Sequence, residues 1–189
     1  MFEQVSKVAA LMRGFKFEWC VAGGWAIDLF LERETRPHDD IEIAIFRRDQ
    51  ISMQKHLDGW LLRKAENYQL SSWKKGEFLE LPIHEIRCFD KTSESSQLEV
   101  LLNETDGENW VFRRNRSVTK PLSEFYLTSK SGVKFLCPEI VLLYKSKSPR
   151  PKDEQDFQKT VSHLNSASKE WLKNAFLICY AEHRWLVDL

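Results

Sequence analysis

Residues 23–46, GGWAIDLFLERETRPHDDIEIAIF, decide how this chain reads. From Asp40 carboxylates and aliphatics alternate: Asp40, Ile41, Glu42, Ile43, then Ala44 and Ile45. A strand repeats its side-chain direction every two residues. Asp40 and Glu42 therefore share one face, while Ile41, Ile43 and Ile45 enter the other. Neighbouring carboxylates repel each other, and a divalent metal between them is the usual relief. Acidic alternation also suits the wet face of an antiparallel sheet, with no ion at all. Upstream, Gly23-Gly24 reads as a turn and Trp25 to Leu31 as a short helix. Glycines let backbone N–H groups approach phosphate oxygens, and a helix N-terminus adds positive potential. A glycine pair alone also fits an ordinary strand–helix turn, because phosphate signatures are longer. Glycine turn, helix and carboxylate strand in succession suit a nucleoside triphosphate.

Outward from this segment, Val5, Val8, Ala9 and Met12 share a helical face that Gly14 stops. Phe17 to Ala22 reads as a first strand, Arg33 to His38 as a polar loop, Asp40 to Phe46 as the second strand, and Gln50 to Leu57 as a helix. From Trp60 to Leu136 strands dominate, punctuated by Gly59, Gly76, Pro82, Gly107, Pro121 and Gly132. Gln97 to Asn103 is a nearly apolar strand carrying one carboxylate, Glu99. Such a group is costly to bury unpaired, so it has either a neighbouring arginine or lysine or a chemical role. After Cys137 the pattern turns helical. Pro138 suits the first turn of a helix. Pro151 opens another, with Phe157, Val161 and Leu164 on one face. A last helix covers about Ala167 to Glu182. The expectation is an α+β domain over residues 1–136, with a mixed sheet of about five strands flanked by helices, and a C-terminal helical part over 137–189.

The chain has 189 residues, 42% of them hydrophobic and 12% aromatic, enough for a real core. Its formal net charge is zero. Affinity for a long nucleic acid draws heavily on phosphate neutralisation, so a neutral chain argues against DNA or RNA as the main partner, though a local patch is enough for tRNA. No apolar run approaches the roughly 20 residues of a membrane-spanning helix. The N-terminus is too mixed in charge for a signal peptide. Cys20, Cys88, Cys137 and Cys179 lack Cys-x-x-Cys spacing and read as reduced core thiols of a cytoplasmic protein rather than zinc ligands. His56, His84, His163 and His183 show no metal spacing. The seven tryptophans are core by default, with Trp73 and Trp110 as candidates to stack a base or sugar.

The blocks GGWAID, RETRPHDDIEIAI, LEVLLNE, PEIVLLYKSK and RPKDEQDF, in that order, resemble the small aminoglycoside/lincosamide nucleotidyltransferases of the polymerase-beta-like superfamily. The resemblance implies a polymerase-beta-like nucleotidyltransferase fold and transfer of a nucleoside monophosphate, AMP from ATP, to a hydroxyl of a small molecule such as an aminoglycoside or lincosamide. It implies magnesium, two ions, held by Asp40, Glu42 and Glu99. Glu99 would act on the acceptor side as proton acceptor, with Glu104 as a weaker alternative. The usual pattern is Asp-x-Asp, so Glu42 is one methylene longer. Trp25 stands where many polymerase-beta-like enzymes carry a polar side chain; Trp is normal in the subfamily this chain resembles and leaves phosphate recognition more to the backbone. Gly23 and Gly24 would face the triphosphate.

Lys145, Lys147, Arg150 and Lys152 form a basic cluster. It fits either a solvated helix end or, for Lys145 and Lys152 above all, contacts to the nucleotide's phosphates. Asp106, Glu108, Asp153 and Asp156 are the carboxylates expected near a cationic acceptor, with orienting Lys152 as the alternative role of Asp153 and Asp156. Arg113, Arg114 and Arg116 read as surface charges. His38 reads as a phosphate contact or a loop stabiliser. Two rivals remain: a toxin-like transferase acting on tRNA or protein, and a catalytically weak nucleotide-binding domain.

Overall fold

A computed structural model describes residues 2–67, 69–90 and 98–189. The fold is α+β. Eight strands run in the order β4 (Gln69–Ser72), β3 (Leu61–Glu66), β5 (Glu85–Phe89), β6 (Leu98–Asp106), β2 (Glu42–Phe46), β1 (Trp19–Val21), β10 (Lys134–Leu136), β9 (Tyr126–Thr128). The far half of β6 also pairs with β7 (Asn109–Val111), which pairs with β8 (Thr119–Pro121). Pairs β2–β6 and β1–β10 are parallel and the rest antiparallel, so the sheet is mixed. It is larger than the five or so strands expected. Five of its strands are only three residues long, too short for alternation to be read.

Six α-helices accompany the sheet among the described residues: α1 (Glu3–Leu11), α2 (Gly23–Phe30), α3 (Gln50–His56), α4 (Pro138–Lys145), α5 (Pro151–Val161) and α6 (Ser166–Cys179). Helix α2 is buried nearly all round, from Gly24 to Leu29. It packs on β2, β10, α4 and α5, which ties the C-terminal helices to the sheet. Helix α4 is likewise buried from Pro138 to Leu143. No helix among the described residues is long and apolar enough to cross a membrane.

Several boundaries move. The first strand begins at Trp19, since Phe17 is 45% exposed. Gly23 and Gly24 are the first turn of α2 itself rather than a turn before it. β2 begins at Glu42, so Asp40 sits in the bend leading into the strand. Ile41, Ile43 and Ile45 are buried as the alternation requires, and Ala44 is buried on the other face, as in an interior strand. Gln97, taken as the start of the Glu99 strand, lies outside the described residues. Leu164 is buried but follows the end of α5, and the last helix stops at Cys179. Trp73 and Trp110 are core residues. Their indole N–H groups donate to the Glu77 carbonyl and to Asn103 Oδ1, so neither is open to stack a base.

Candidate active site

Strand β1 ends where β2 begins, and the N-terminus of α2 starts there. A cavity of about 540 Å³ opens at this junction. Gly23, Gly24, Asp40, Glu42 and Glu99 line it. Lys145, Lys152 and Asp153 from the C-terminal helices close another side.

The glycine pair is required by packing as well as by any ligand. Gly23 has φ +58°, a left-handed conformation that glycine adopts without strain. A Cβ there would overlap the carboxylate of Glu42. A Cβ on Gly24 would overlap Arg36 and His38. The loop over 33–38 thus lies directly on the first turn of α2. Asp28, buried in the same helix, accepts from Thr35 N (3.1 Å) and Thr35 Oγ1 (2.6 Å) and pairs with His38 Nε2 (2.6 Å). Arg36 Nη1 lies 3.0 Å from His38 Nδ1. A guanidinium can only donate, so Nδ1 accepts and the ring proton sits on Nε2, facing Asp28. His38 therefore stabilises the loop, with both nitrogens engaged. Trp25 lies under the same ring, 4.4 Å between centroids, and its Nε1–H donates to the carbonyl of Asp40 at 3.0 Å.

Glu42 and Glu99 are direct register partners on parallel β2 and β6, and Arg87 on β5 is the register partner of Glu99. Three charged side chains thus form one row across the sheet. Burial pushes the Glu42 carboxyl up, and the charge of Asp40 adds to it. Glu99 is pushed up to about 7 by burial and by Glu85 and Asp40, against the pull of Arg87. Arg87 Nε lies 3.3 Å from Glu99 Oε1 and 2.9 Å from Glu85 Oε1. The plain salt-bridge reading of Glu99 therefore has its partner. Carboxylates gathered without matching cations, presenting oxygen-only donors, fit a hard divalent cation at Asp40 and Glu42. Among the described residues no three acidic side chains converge closely enough to hold a metal unaided. Glu99 is shared with Arg87 instead.

On the other flank a charge chain fixes the cations. Asp156 accepts a fork from Arg36, both contacts at 2.9 Å, and pairs with Lys145 at 3.0 Å. Asp153 pairs with Lys145 at 2.7 Å and with Arg150 at 2.9 Å. Lys152 reaches Asp39 at 3.8 Å and is 40% exposed. Asp153 and Asp156 are 2% and 1% exposed, so they hold cations of this chain rather than offer themselves to a cationic acceptor. Asp106 and Glu108 sit on the exposed β6–β7 hairpin and are not brought to the cleft. Glu104 is spent on Arg47 at 2.7 Å.

Residues 4–135 match the family described as aminoglycoside-2''-adenylyltransferase. The chain belongs to that family. Its fold is shared with the lincosamide antibiotic adenylyltransferase LnuA in lincomycin-bound form, at 16% identity, covering 87% of this chain and 98% of that one, TM-score 0.59. It is shared with ANT(2'')-Ia in solution at 17% identity, covering 94% and 91%, TM-score 0.62. It is shared again with ANT(2'')-Ia in complex with adenylyl-2''-tobramycin at 18% identity, covering 94% and 98%, TM-score 0.59. No curated protein matches the chain in sequence. The architecture is thus the polymerase-beta-like nucleotidyltransferase fold.

In this aminoglycoside-2''-adenylyltransferase family member, several cleft residues carry no local signal. Arg113 and Arg114 line the cavity, whereas Arg116 is exposed, so the reading of all three as surface charges holds for Arg116 alone. His84, Arg87 and Tyr144 also line it. Asp28 had a signal, a lone acid inside the apolar run WAIDLF, whose role only the loop contact reveals.

Proposed function

We propose that this chain transfers a nucleoside monophosphate, AMP from ATP, to a hydroxyl of a small molecule. The observation that carries this is the in-register pair Glu42 and Glu99 beside the glycine-led N-terminus of α2, with Asp40 pinned between them and Trp25. Magnesium held at Asp40 and Glu42, and a second ion sharing Glu99, would supply charge neutralisation for the triphosphate. The backbone N–H groups of Gly23 and Gly24 point the positive end of α2 at phosphate oxygens. Lys145, fixed by Asp153 and Asp156, and the more open Lys152 add cationic contacts for the departing pyrophosphate. Glu99 accepts the proton of the attacking hydroxyl. The oxygen–phosphorus bond to the acceptor forms as the bond to pyrophosphate breaks, and pyrophosphate leaves with its electron pair. Most of the acceleration is positioning and preorganised charge. ATP and magnesium at working concentration place the activity in the cytoplasm. Residues 1–136 carry the carboxylates and glycines and residues 137–189 the cationic helices; the family match ends at 135, beside that boundary.

One observation favours a second reading, a nucleotide-binding domain of weak activity: Arg87 already neutralises Glu99. Magnesium-dependent pyrophosphate release, measured against a panel of hydroxylated compounds, tRNA and proteins, decides between them. Glu99→Gln is expected to cut turnover far more than magnesium–ATP affinity. If the variant binds and turns over like wild type, Glu99 is a salt-bridge partner and no more. Robust labelling of tRNA or protein with no small-molecule product moves the chain to the toxin-like class.

A further inference from the structure

The cleft changes sign beyond Glu99. Strand β6 reaches Asn103 four residues later, roughly 13 Å along the strand at the usual rise. There the cavity is lined by His84, whose carbonyl accepts from Leu102 N, by Tyr144, whose hydroxyl lies 3.4 Å from Asn103 Oδ1, and by Arg113 and Arg114. Arg113 and Arg114 leave the end of β7, which is anchored by buried Trp110 and followed by buried Phe112. Arg114 donates to the Tyr144 carbonyl at 2.8 Å, and both guanidinium carbons lie 5.5 Å from the centroid of the Tyr144 ring. The pair is therefore held in place. Among the described residues the two arginines meet Tyr144 and Phe112 rather than a carboxylate. Burial pushes the Arg113 pKa down, and the neighbouring charges of Arg114 and Arg47 push it the same way. Arg47 Nη2 is, among the described residues, the one buried side-chain nitrogen or oxygen without a hydrogen-bond partner. Like charges crowded in a half-buried place are relieved by an anion.

The carboxylates of the same cleft are committed elsewhere. Asp153 serves Lys145 and Arg150, and Glu85 and Glu99 share Arg87, while Asp39, 92% exposed, only approaches Lys152 at 3.8 Å, away from the two arginines. Asp40 and Glu42 belong to the metal end. A polyammonium acceptor finds no unshared acid along this wall, while an oxyanion finds two guanidiniums whose planar forks match it. The triphosphate has its own cations on the opposite flank, beside Gly23 and Gly24. We propose that Arg113 and Arg114 form an oxyanion subsite for the acceptor, so that the molecule receiving the nucleotidyl group is a hydroxylated compound bearing a carboxylate or a phosphate. This inference rests on the nucleotidyl-transfer reading for its word acceptor, and on the cleft alone for the oxyanion.

The test titrates the full chain, saturated with magnesium and a non-hydrolysable ATP analogue, with glucose, glucuronate, glucose 6-phosphate and tobramycin, followed by NMR. One or both anionic sugars are expected to bind at least tenfold more tightly than glucose, and tobramycin no more tightly than glucose. The ranking of glucuronate against glucose 6-phosphate separates carboxylate from phosphate. Arg113→Gln is expected to erase the tenfold margin and Arg113→Lys to keep most of it, with affinity for the ATP analogue within twofold in both. Tobramycin outbinding both anions overturns the subsite, as does an absent margin over glucose. So does an Arg113→Gln loss that falls equally on the ATP analogue, which would assign the arginines to the nucleotide. Should Arg113→Gln not fold, the wild-type ranking with Arg113→Lys decides alone. Anion binding without transfer to any acceptor sinks nucleotidyl transfer and leaves the subsite standing; transfer to neutral or cationic acceptors without anion preference does the reverse.

Discussion

Trp25 looks ill suited to phosphate chemistry, and its contacts show what it does instead. The indole N–H donates to the backbone of Asp40, and the ring packs at a tilt against His38, which the Asp28 carboxylate holds in turn. One apolar residue therefore sets where the exposed bend 39–40 places its carboxylate. Trp25→Phe keeps the ring packing but removes the donor. The net loss of one hydrogen bond is about 1 kcal/mol, or roughly 2–4 °C in melting temperature for a chain of this size. Turnover should fall more than that suggests, by about tenfold or beyond, because a carboxylate displaced by a fraction of an ångström loses its alignment. Equal turnover in a slightly less stable variant would show that Asp40 does not depend on the indole. Asp40 itself is exposed, and surface changes shift stability by only about 0.5 kcal/mol. Asp40→Asn should hence melt like wild type while transfer drops at least roughly a hundredfold, the scale of removing one preorganised electrostatic group. Full activity in the folded variant would falsify the metal assignment.

At the scale of elements, the start of α5 is the hinge of the cationic flank. Pro151 occupies its first turn, and Asp153 accepts from the Arg150 backbone N–H at 3.0 Å, capping the helix while gripping Lys145. Burial alone would raise the Asp153 pKa. The bonds from Arg150 and Lys145 outweigh it and hold the carboxyl at about 2, against an ordinary aspartate value of 3.8. An acid depressed in the folded state stabilises it above the ordinary value, and that stability drains away as pH falls from about 4 through 2. Its full size is on the order of 2 kcal/mol. Asp153→Asn should therefore lose stability at pH 7, and its gap to wild type in urea melts should narrow toward pH 2; a gap constant with pH would mean that packing, not charge, was lost. Elements of this kind announce themselves, with Pro138 and Pro151 at helix starts and the alternation of 40–46 marking an interior strand. The three-residue strands β7 to β10 do not, since local pattern cannot show a pairing so short. For the same reason Arg113 and Arg114 looked like solvent charges in the run FRRNR. It is the β6–β7–β8 pairing that carries them into the cleft. Asp40, Glu42 and Glu99 were visible because a carboxylate among aliphatics is anomalous in any fold, whereas a surface-like arginine is not.

Over the whole molecule, the sheet and the C-terminal helices share one cleft and one core. Helix α2 is buried between β2 and β10 on one side and α4 and α5 on the other. Among the described residues, Arg36, in the loop that covers Gly24, is held through Asp156 of α5 and its own neighbours Pro37 and His38. Cutting the chain at 136 would strip away α4, which packs on α2 and carries the buried Ile140, Val141, Leu142 and Leu143. Each such side chain is worth about 1.5–3 kcal/mol on burial, so together they approach the roughly 5–15 kcal/mol that a whole domain has to spare. The cut would also leave Arg36 without its carboxylate. Residues 1–136 expressed alone should consequently lack a cooperative melt and bind no magnesium–ATP, while the full chain should unfold in a single transition seen alike by circular dichroism and by tryptophan fluorescence. A fragment that melts cooperatively and still binds the nucleotide would instead make 1–136 an independent domain, with the cationic helices of 137–189 as a separable addition.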